Sequence, residues 1–186
     1  TATDEVTLTR GINTGDSSYS FFVIEDKTGN EIYVKSGSTA FTGNTDADLD
    51  IDVGAGITDY TKTVVFLTVS SDNAGVPGYN ESHVRGYMTS NTNLALRRSA
   101  GNSIATVDWF VVEFKGSGWS VQQCDFSLTT GTQATPQTQA ISSVTMAETF
   151  VFMNWEADTN GLDQTSAKVE LTDSTTLSFS RQDTTS

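Results

Sequence analysis

The chain has 186 residues, of which 23 are Asp or Glu and only 10 are Lys or Arg, so its formal net charge is −13. This acidity argues against a nucleic-acid partner and against an anionic membrane surface, because both need clustered cations. No apolar run reaches the length of about 18 residues that crosses a bilayer, so we expect no membrane insertion. An acidic, Thr-rich chain is typical of a protein that stays soluble outside the cell, and we expect an extracellular or cell-surface location.

Short apolar segments, bounded by turn residues, follow one another along the chain. The turn clusters between them include TGDSS, KTGN, DNAGVPG and KGSG. Helical periodicity is weak and confined to 143–152. The sequence therefore predicts an all-β fold of antiparallel strands.

Two of these segments recur at one spacing. YSFFVIED (19–26) matches VDWFVVEF (107–114) at an offset of 88 residues, and the same offset relates VTLTR (6–10) to LALRR (94–98). A further copy of the second segment stands at LSFSR (177–181). We expect each Arg-terminated strand to form a hairpin with the apolar strand that follows it.

The residues between these blocks also recur. TVVFLTV (63–69) matches TFVFMNW (149–155) at an offset of 86, and 82–98 resembles 166–181. A period of about 83–88 residues is too long for a solenoid repeat and suits an Ig-like sandwich of roughly 100 residues.

The repeat predicts two tandem Ig-like antiparallel β-sandwich modules with an unmatched terminal strand. We expect the first module at 1–91, built from a hairpin (5–26) and 31–91, and the second at 92–174. Residues 175–186 are then the unmatched C-terminal strand. The repeat also divides in another way, into one complete module, an orphan N-terminal hairpin and a C-terminal module that lacks its VVEF strand.

An unmatched strand beside an incomplete sheet predicts self-assembly, because an added strand supplies main-chain hydrogen bonds and its alternate side chains define the register. A head-to-tail contact that does not close into a ring produces a filament. The alternative is a longer tandem array of which this chain is one part. The residues expected in the assembly strands are Val6, Leu8, Phe21, Phe22, Val23, Ile24, Leu177 and Phe179.

The segment NTDADLDIDV (44–53) has four carboxylates at period two, on one face of a strand. They are Asp46, Asp48, Asp50 and Asp52. The first three fit EF-hand spacing, but Ile51 and Ile57 stand where that loop needs Gly and Glu. Two interpretations stay open: a calcium site of another geometry, and a charged outer face that protects an edge strand. No other cofactor is predicted.

No catalytic constellation is visible. The Gly-Asp-Ser of GDSS (15–18) resembles that of some esterases, but His83 is the only histidine and no Asp-x-x-His follows it. We expect no enzymatic activity. Cys124, the only cysteine, is expected to be a small buried side chain or to form an intermolecular disulfide. Arg98 and Glu113 are expected either to pair with each other or to be solvated.

The Arg-terminated strand and the VDWFVVEF strand, within modules of about 85 residues, resemble the tandem Ig-like repeats of prokaryotic surface proteins and similar modules of phage tail and fibre proteins. The resemblance implies a structural or adhesive role outside the cell, without catalysis. We expect a polymeric homo-oligomer that forms a filament, a pilus-like fibre or a surface appendage. The alternative is an adhesin or carbohydrate-binding tandem that contacts a glycan or host surface through long polar loops, with Tyr79 and Trp155 as stacking residues.

Overall fold

The structure, a computed structural model, describes residues 23–42, 47–71, 82–99, 104–127, 136–157 and 167–181. The all-β prediction is confirmed, and every strand pair is antiparallel.

Single turns of 3-10 helix stand at Tyr60–Lys62 and Met146–Glu148, the latter in the weakly helical region. Within the described ranges, no helix is long and apolar enough to cross a membrane. The strands are β1 (Ile32–Phe41), β2 (Asp48–Asp52), β3 (Thr63–Ser71), β4 (Arg85–Met88), β5 (Asn93–Arg97), β6 (Ala105–Phe114), β7 (Gln137–Ala140), β8 (Ala167–Asp173) and β9 (Thr176–Arg181).

Six strands form two sheets that enclose one core. Sheet 1 has the order β1-β6-β3 and sheet 2 the order β2-β5-β4. Val107, Trp109 and Val111 on β6 belong to the same buried cluster as Leu94 and Leu96 on β5. Because side chains alternate along a strand, one face of each sheet supplies this core. The structure therefore has a β-sandwich at residues 32–114.

The apolar run VDWFVVEF owes its composition to its place at the centre of sheet 1. β6 pairs along its whole length with β1 on one side and from Ala105 to Glu113 with β3 on the other. Its second face is not fully covered, since Asp108 and Phe110 are exposed. The run is thus buried against sheet 2 on one face only.

The expected hairpin between 94–98 and 107–114 is wrong. β5 pairs with β2 and β4, and β6 pairs with β1 and β3, so the two strands lie in different sheets. Their apolar side chains meet across the core. We place the end of this sandwich at Phe114 rather than after Asn91, because β5 and β6 complete the two sheets begun by β1–β4.

Sheet 3 has the order β7-β9-β8, so residues 176–181 are not an unmatched strand. β9 is the central strand and pairs on both sides. Its Leu177 and Phe179 are buried. The strand that we expected to be unmatched and to complete a second molecule is therefore the centre of a sheet in its own chain.

Sheet 3 repeats sheet 2 in strand order and in register. In sheet 2, Leu94 lies opposite Ile51 of β2 and Met88 of β4. In sheet 3, Leu177, the equivalent of Leu94, lies opposite Gln139 and Leu171. The sequence match between LALRR and LSFSR therefore corresponds to a match in structural position.

Sheet 3 has no counterpart of sheet 1 among the described residues. The segment 149–155 matches β3 in sequence, but it forms no strand, and neither does 119–127. No strand in the described ranges stands in the place that β6 occupies in the first sandwich. We call sheet 3 together with segments 119–127 and 149–157 the half-sandwich.

Candidate assembly site

Segment 119–127 occupies the position of β1 in the half-sandwich. Phe126 stacks on Phe179 of β9, with ring centroids 4.2 Å apart. Gln122 exchanges two hydrogen bonds with the backbone of Ser142, just after β7, at 2.9 and 2.7 Å. In the first sandwich, the Lys35 ammonium on β1 donates at 2.9 Å to the carbonyl of Val53, just after β2. Lys35 and Gln122, which make these comparable contacts, lie 87 positions apart in the sequence.

Segment 149–157 occupies the position of β3 in the chain order of the half-sandwich. The 3-10 turn Tyr60–Lys62 leads directly into β3, and the turn Met146–Glu148 leads directly into Thr149. Both turns and both segments are related by the same offset of 86 residues. The chain thus repeats the local structure that precedes β3, but not the strand itself.

Large apolar side chains of the half-sandwich are exposed. Phe150 is 60% exposed, and Val151 is 37% exposed although its equivalent, Val65 in β3, is only 5% exposed. The difference has a direct cause, because Val65 lies opposite Val111 of β6 and no described strand covers Val151. The other exposed members are Trp119 and Phe152, and Met146 in the 3-10 turn before Thr149 is exposed as well.

Both segments are attached to the open edges of the first sandwich. Asn154 accepts from the Gly86 N–H and donates to the carbonyls of Val65 and Gly86, and so joins β3 to β4. Gln123 donates to the carbonyls of Tyr60 and Thr63 at 3.0 and 2.9 Å.

One arginine connects the two segments. The Arg85 guanidinium lies 3.4 Å from the Asp125 carboxylate and 3.2 Å from the Glu156 carboxylate. Arg85 on β4 therefore contacts one carboxylate of each segment, although neither segment is a strand.

The complete sandwich shows what a central strand contributes. Trp109 packs over Gly37 of β1 so closely that a Cβ there overlaps the indole ring. Glu113 is buried and accepts from the N–H groups of Thr58 and Asp59 and from the Thr58 hydroxyl. Its second oxygen lies 3.6 Å from the Lys115 ammonium.

Arg98 and Glu113 are buried, so the expectation of solvated charges is wrong for both. The Arg98 guanidinium lies 4.4 Å from the ring centre of Phe41. The Glu113 carboxylate is held by Thr58, Asp59 and Lys115.

The predicted assembly residues fall into three groups. Leu177 and Phe179 are buried in β9 and are not available to a second molecule. Val23 and Ile24 are 76% and 83% exposed and belong to no strand. The other four lie outside the described residues: Val6, Leu8, Phe21 and Phe22.

The acidic segment forms the exposed face of β2, an edge strand of sheet 2. Arg97 bridges Asp48 and Asp50 at 3.2 and 2.9 Å, and it lowers the pKa of the Asp50 carboxyl. Asp52 accepts from the Gly54 N–H, and Asp46 lies outside the described residues. The described part of the chain brings together no group of three metal-ligating side chains.

Of the two residues proposed for ligand stacking, only Trp155 lies in the described part of the chain. Tyr79 lies outside the described residues. Trp155 is partly buried, with its ring 5.3 Å from that of His83. Cys124 is exposed, so the expectation of a buried cysteine is wrong.

An open depression of about 480 Å³ was not predicted from the sequence. It lies between the turn Tyr60–Lys62 and the start of segment 119–127, and Trp119 and Gln123 contribute to its wall. Tyr60 and Trp119 both keep exposed ring surface there. Because these two residues are far apart in sequence, no local pattern indicates the depression.

Comparison of the chain with protein-family models, curated proteins and solved structures found no match.

Proposed function

We propose that the protein is a non-enzymatic structural subunit that assembles head to tail, by strand complementation, into an extracellular filament, a pilus-like fibre or a surface appendage. The half-sandwich is the observation that carries the proposal. It has sheet 3 in place and the two segments that flank a central strand, but no such strand among the described residues.

Strand complementation accounts for two features of the half-sandwich: segments without ladder hydrogen bonds and exposed apolar side chains. An added strand supplies main-chain hydrogen bonds to two segments that form no ladder, and its alternate side chains cover apolar residues that are exposed in the single molecule. Each large apolar side chain that becomes buried contributes about 1.5–3 kcal/mol. Exposed residues such as Phe150 and Val151 are otherwise a liability for unspecific aggregation.

The geometry of such a contact favours a filament. A donor strand and an acceptor half-sandwich are different surfaces, so the contact is heterologous and leaves a free donor and a free acceptor at the two ends. In the alternative of a longer Ig-like tandem array, the central strand comes from a following repeat of the same chain. The structural role is then the same, but successive repeats are joined covalently within one chain.

The first experiment is electron microscopy of the purified chain with light scattering of the same sample. We expect filaments of regular repeat whose scattering mass grows with protein concentration. Monodisperse monomers at all concentrations would contradict assembly by this chain.

The depression beside Trp119 favours a second candidate function, binding of a glycan. Sugars stack on exposed aromatic rings, and Tyr60, Trp119, Lys62 and Gln123 combine two rings with polar side chains. A glycan array on the wild-type chain and on Trp119→Ala tests it. A signal that is lost in the variant while assembly persists would support an adhesin. An array without signal would leave the structural role alone.

A further inference from the structure

We propose that the central strand of the half-sandwich is supplied by residues 19–25 of a second copy of this chain. The inference rests on the proposed function of a strand-complementing subunit. It adds which segment is the donor, which side chains enter the site and in which register.

The sequence of 19–25 is a second copy of β6. The offset of 88 residues that relates Phe21 to Trp109 and Glu25 to Glu113 also relates Lys27 to Lys115. In the first sandwich Glu113 is buried and Lys115 lies beside it. The match therefore includes the polar residues that end the central strand, as well as its apolar core.

The part of this segment that the structure describes is not covered by its own chain. Val23 and Ile24 are 76% and 83% exposed, whereas their equivalents in β6 are the fully buried Val111 and the partly buried Val112. Two adjacent branched apolar side chains in this state are suited to burial by another molecule.

The pairing of β6 predicts the register of the donor. Trp109 lies between Gly37 of β1 and Leu67 of β3, and Val111 lies between Lys35 and Val65. Three offsets transfer this register: 88 residues between the donor and β6, 87 between β1 and segment 119–127, and 86 between β3 and segment 149–157. With them, Phe21 lies between Cys124 and Met153, and Val23 lies between Gln122 and Val151. The donor is antiparallel to both flanking segments, as β6 is to β1 and β3.

Side-chain sizes on the two sides of this register are complementary. In the first sandwich, the large Trp109 requires Gly37 opposite it, because a Cβ on residue 37 overlaps the indole. In the half-sandwich, the position of Gly37 is occupied by Cys124 and that of Trp109 by the smaller Phe21. The smaller ring leaves room for the cysteine side chain, which is exposed in the single molecule.

The connection between modules supports the same arrangement. β6 is followed by the turn KGSG (115–118), which leads into segment 119–127. The donor is followed by the turn KTGN (27–30), which leads into β1. A donor seated in a second molecule therefore joins two copies by the same strand-and-turn connection that joins the two parts of one chain.

The register places Phe21 of one molecule against the native Cys124 of the next, and this contact tests the proposal. Phe21→Cys in the full chain, treated with a mild oxidant, is expected to give a ladder of disulfide-linked dimers and higher multimers on a non-reducing gel. The ladder should disappear when Cys124→Ser is added. Phe22→Cys is the matched control, because the proposed register assigns residue 22 to the opposite face of the donor from residue 21, and it should give at least tenfold less product.

Each outcome decides a different claim. Multimers in light scattering, without a disulfide between position 21 of the Phe21→Cys variant and Cys124, would overturn this donor while the proposed assembly stands. A disulfide found only within monomers would overturn the second copy as the source. Absence of multimers in wild type and all variants would overturn the proposed function itself.

A second measurement protects the test against a variant that folds or assembles poorly. A synthetic peptide of residues 17–27, added in excess to the wild-type full chain, is expected to occupy the half-sandwich and to shorten the filaments at least severalfold. A peptide of the same composition in scrambled order is the control. Equal filament lengths with both peptides would overturn the donor.

Discussion

At the residue scale, the ring of Trp109 packs closely over Gly37 in the first sandwich. We expect Gly37→Ala to destabilise the protein by about 1–3 kcal/mol, because the added methyl forces the buried ring to shift. Urea unfolding measures the loss. Gly118→Ala is the control, since nothing lies within 4 Å of a Cβ there and its cost should be below about 0.5 kcal/mol. Trp109→Phe in the Gly37→Ala background should recover part of the lost unfolding free energy. An unchanged stability in Gly37→Ala would contradict the close packing of Trp109 over Gly37.

Glu113 is the second residue on which the sandwich depends. Glu113→Ala leaves the N–H groups of Thr58 and Asp59 without their acceptor, and we expect a loss of about 2–3 kcal/mol. Glu113→Gln keeps one carbonyl oxygen for these donors, so it should cost about 1 kcal/mol less. Denaturant unfolding of both variants checks the order. Equal losses would mean that burial of the side chain, and not its hydrogen bonds, stabilises this end of β6.

At the element scale, the turn that leads into β1 is organised by Asp26. The Thr28 hydroxyl first, and then the N–H groups of Glu31, Ile32 and Thr28, lower the pKa of the Asp26 carboxyl. A lowered pKa stabilises the folded state above the unfolded pKa of about 3.9, and this contribution is lost as the pH falls through the folded pKa. We expect the stability difference between wild type and Asp26→Asn to shrink below about pH 4.

Carboxyl titration by NMR measures this pKa directly. Thr28→Val removes the hydroxyl donor and keeps the backbone N–H groups, so it should raise the pKa of Asp26 partway toward its ordinary value. A pKa of Asp26 at the ordinary value in the wild type would contradict the turn.

The sequence predicted which segments are strands more reliably than it predicted their neighbours. Burial alternates along much of β6, and the run VDWFVVEF lies at the centre of sheet 1. Alternation does not show which strand lies alongside, so the sequence predicts a hairpin of β5 and β6, although the two strands lie in facing sheets. For the same reason the sequence predicts an unmatched end at β9, although β9 and its repeat partner β5 are both central strands.

The candidate site was predictable only in part. One division of the repeat gives a C-terminal module that lacks its VVEF strand. Because β5 and β6 complete the two sheets of the first sandwich, the structure favours that division. The attachment of Asn154 to Val65 and Gly86 joins residues 68 or more positions apart, and no local pattern contains this information. The same holds for the exposure of Cys124, which depends on its neighbours in space and not on its own segment.

At the scale of the whole molecule, the proposed donor and the proposed acceptor lie in different parts of the chain, and two variants separate them. Deletion of 175–186 removes the centre of sheet 3, so we expect it to unfold the half-sandwich and to abolish assembly. Limited proteolysis followed by mass spectrometry should then give a resistant fragment close to residues 32–114, because β1–β6 form a sandwich with its own core.

Val23→Asp should abolish assembly without any such unfolding. Its side chain is exposed in the single molecule, so the substitution costs the fold little, but a carboxylate buried opposite Val151 in a neighbouring half-sandwich costs several kcal/mol unless it is paired. We therefore expect monomers in light scattering and a proteolysis pattern like that of wild type with an intact C-terminal half. Filaments formed by Val23→Asp would contradict insertion of this segment, and filaments formed by the 175–186 deletion would contradict sheet 3 as part of the acceptor.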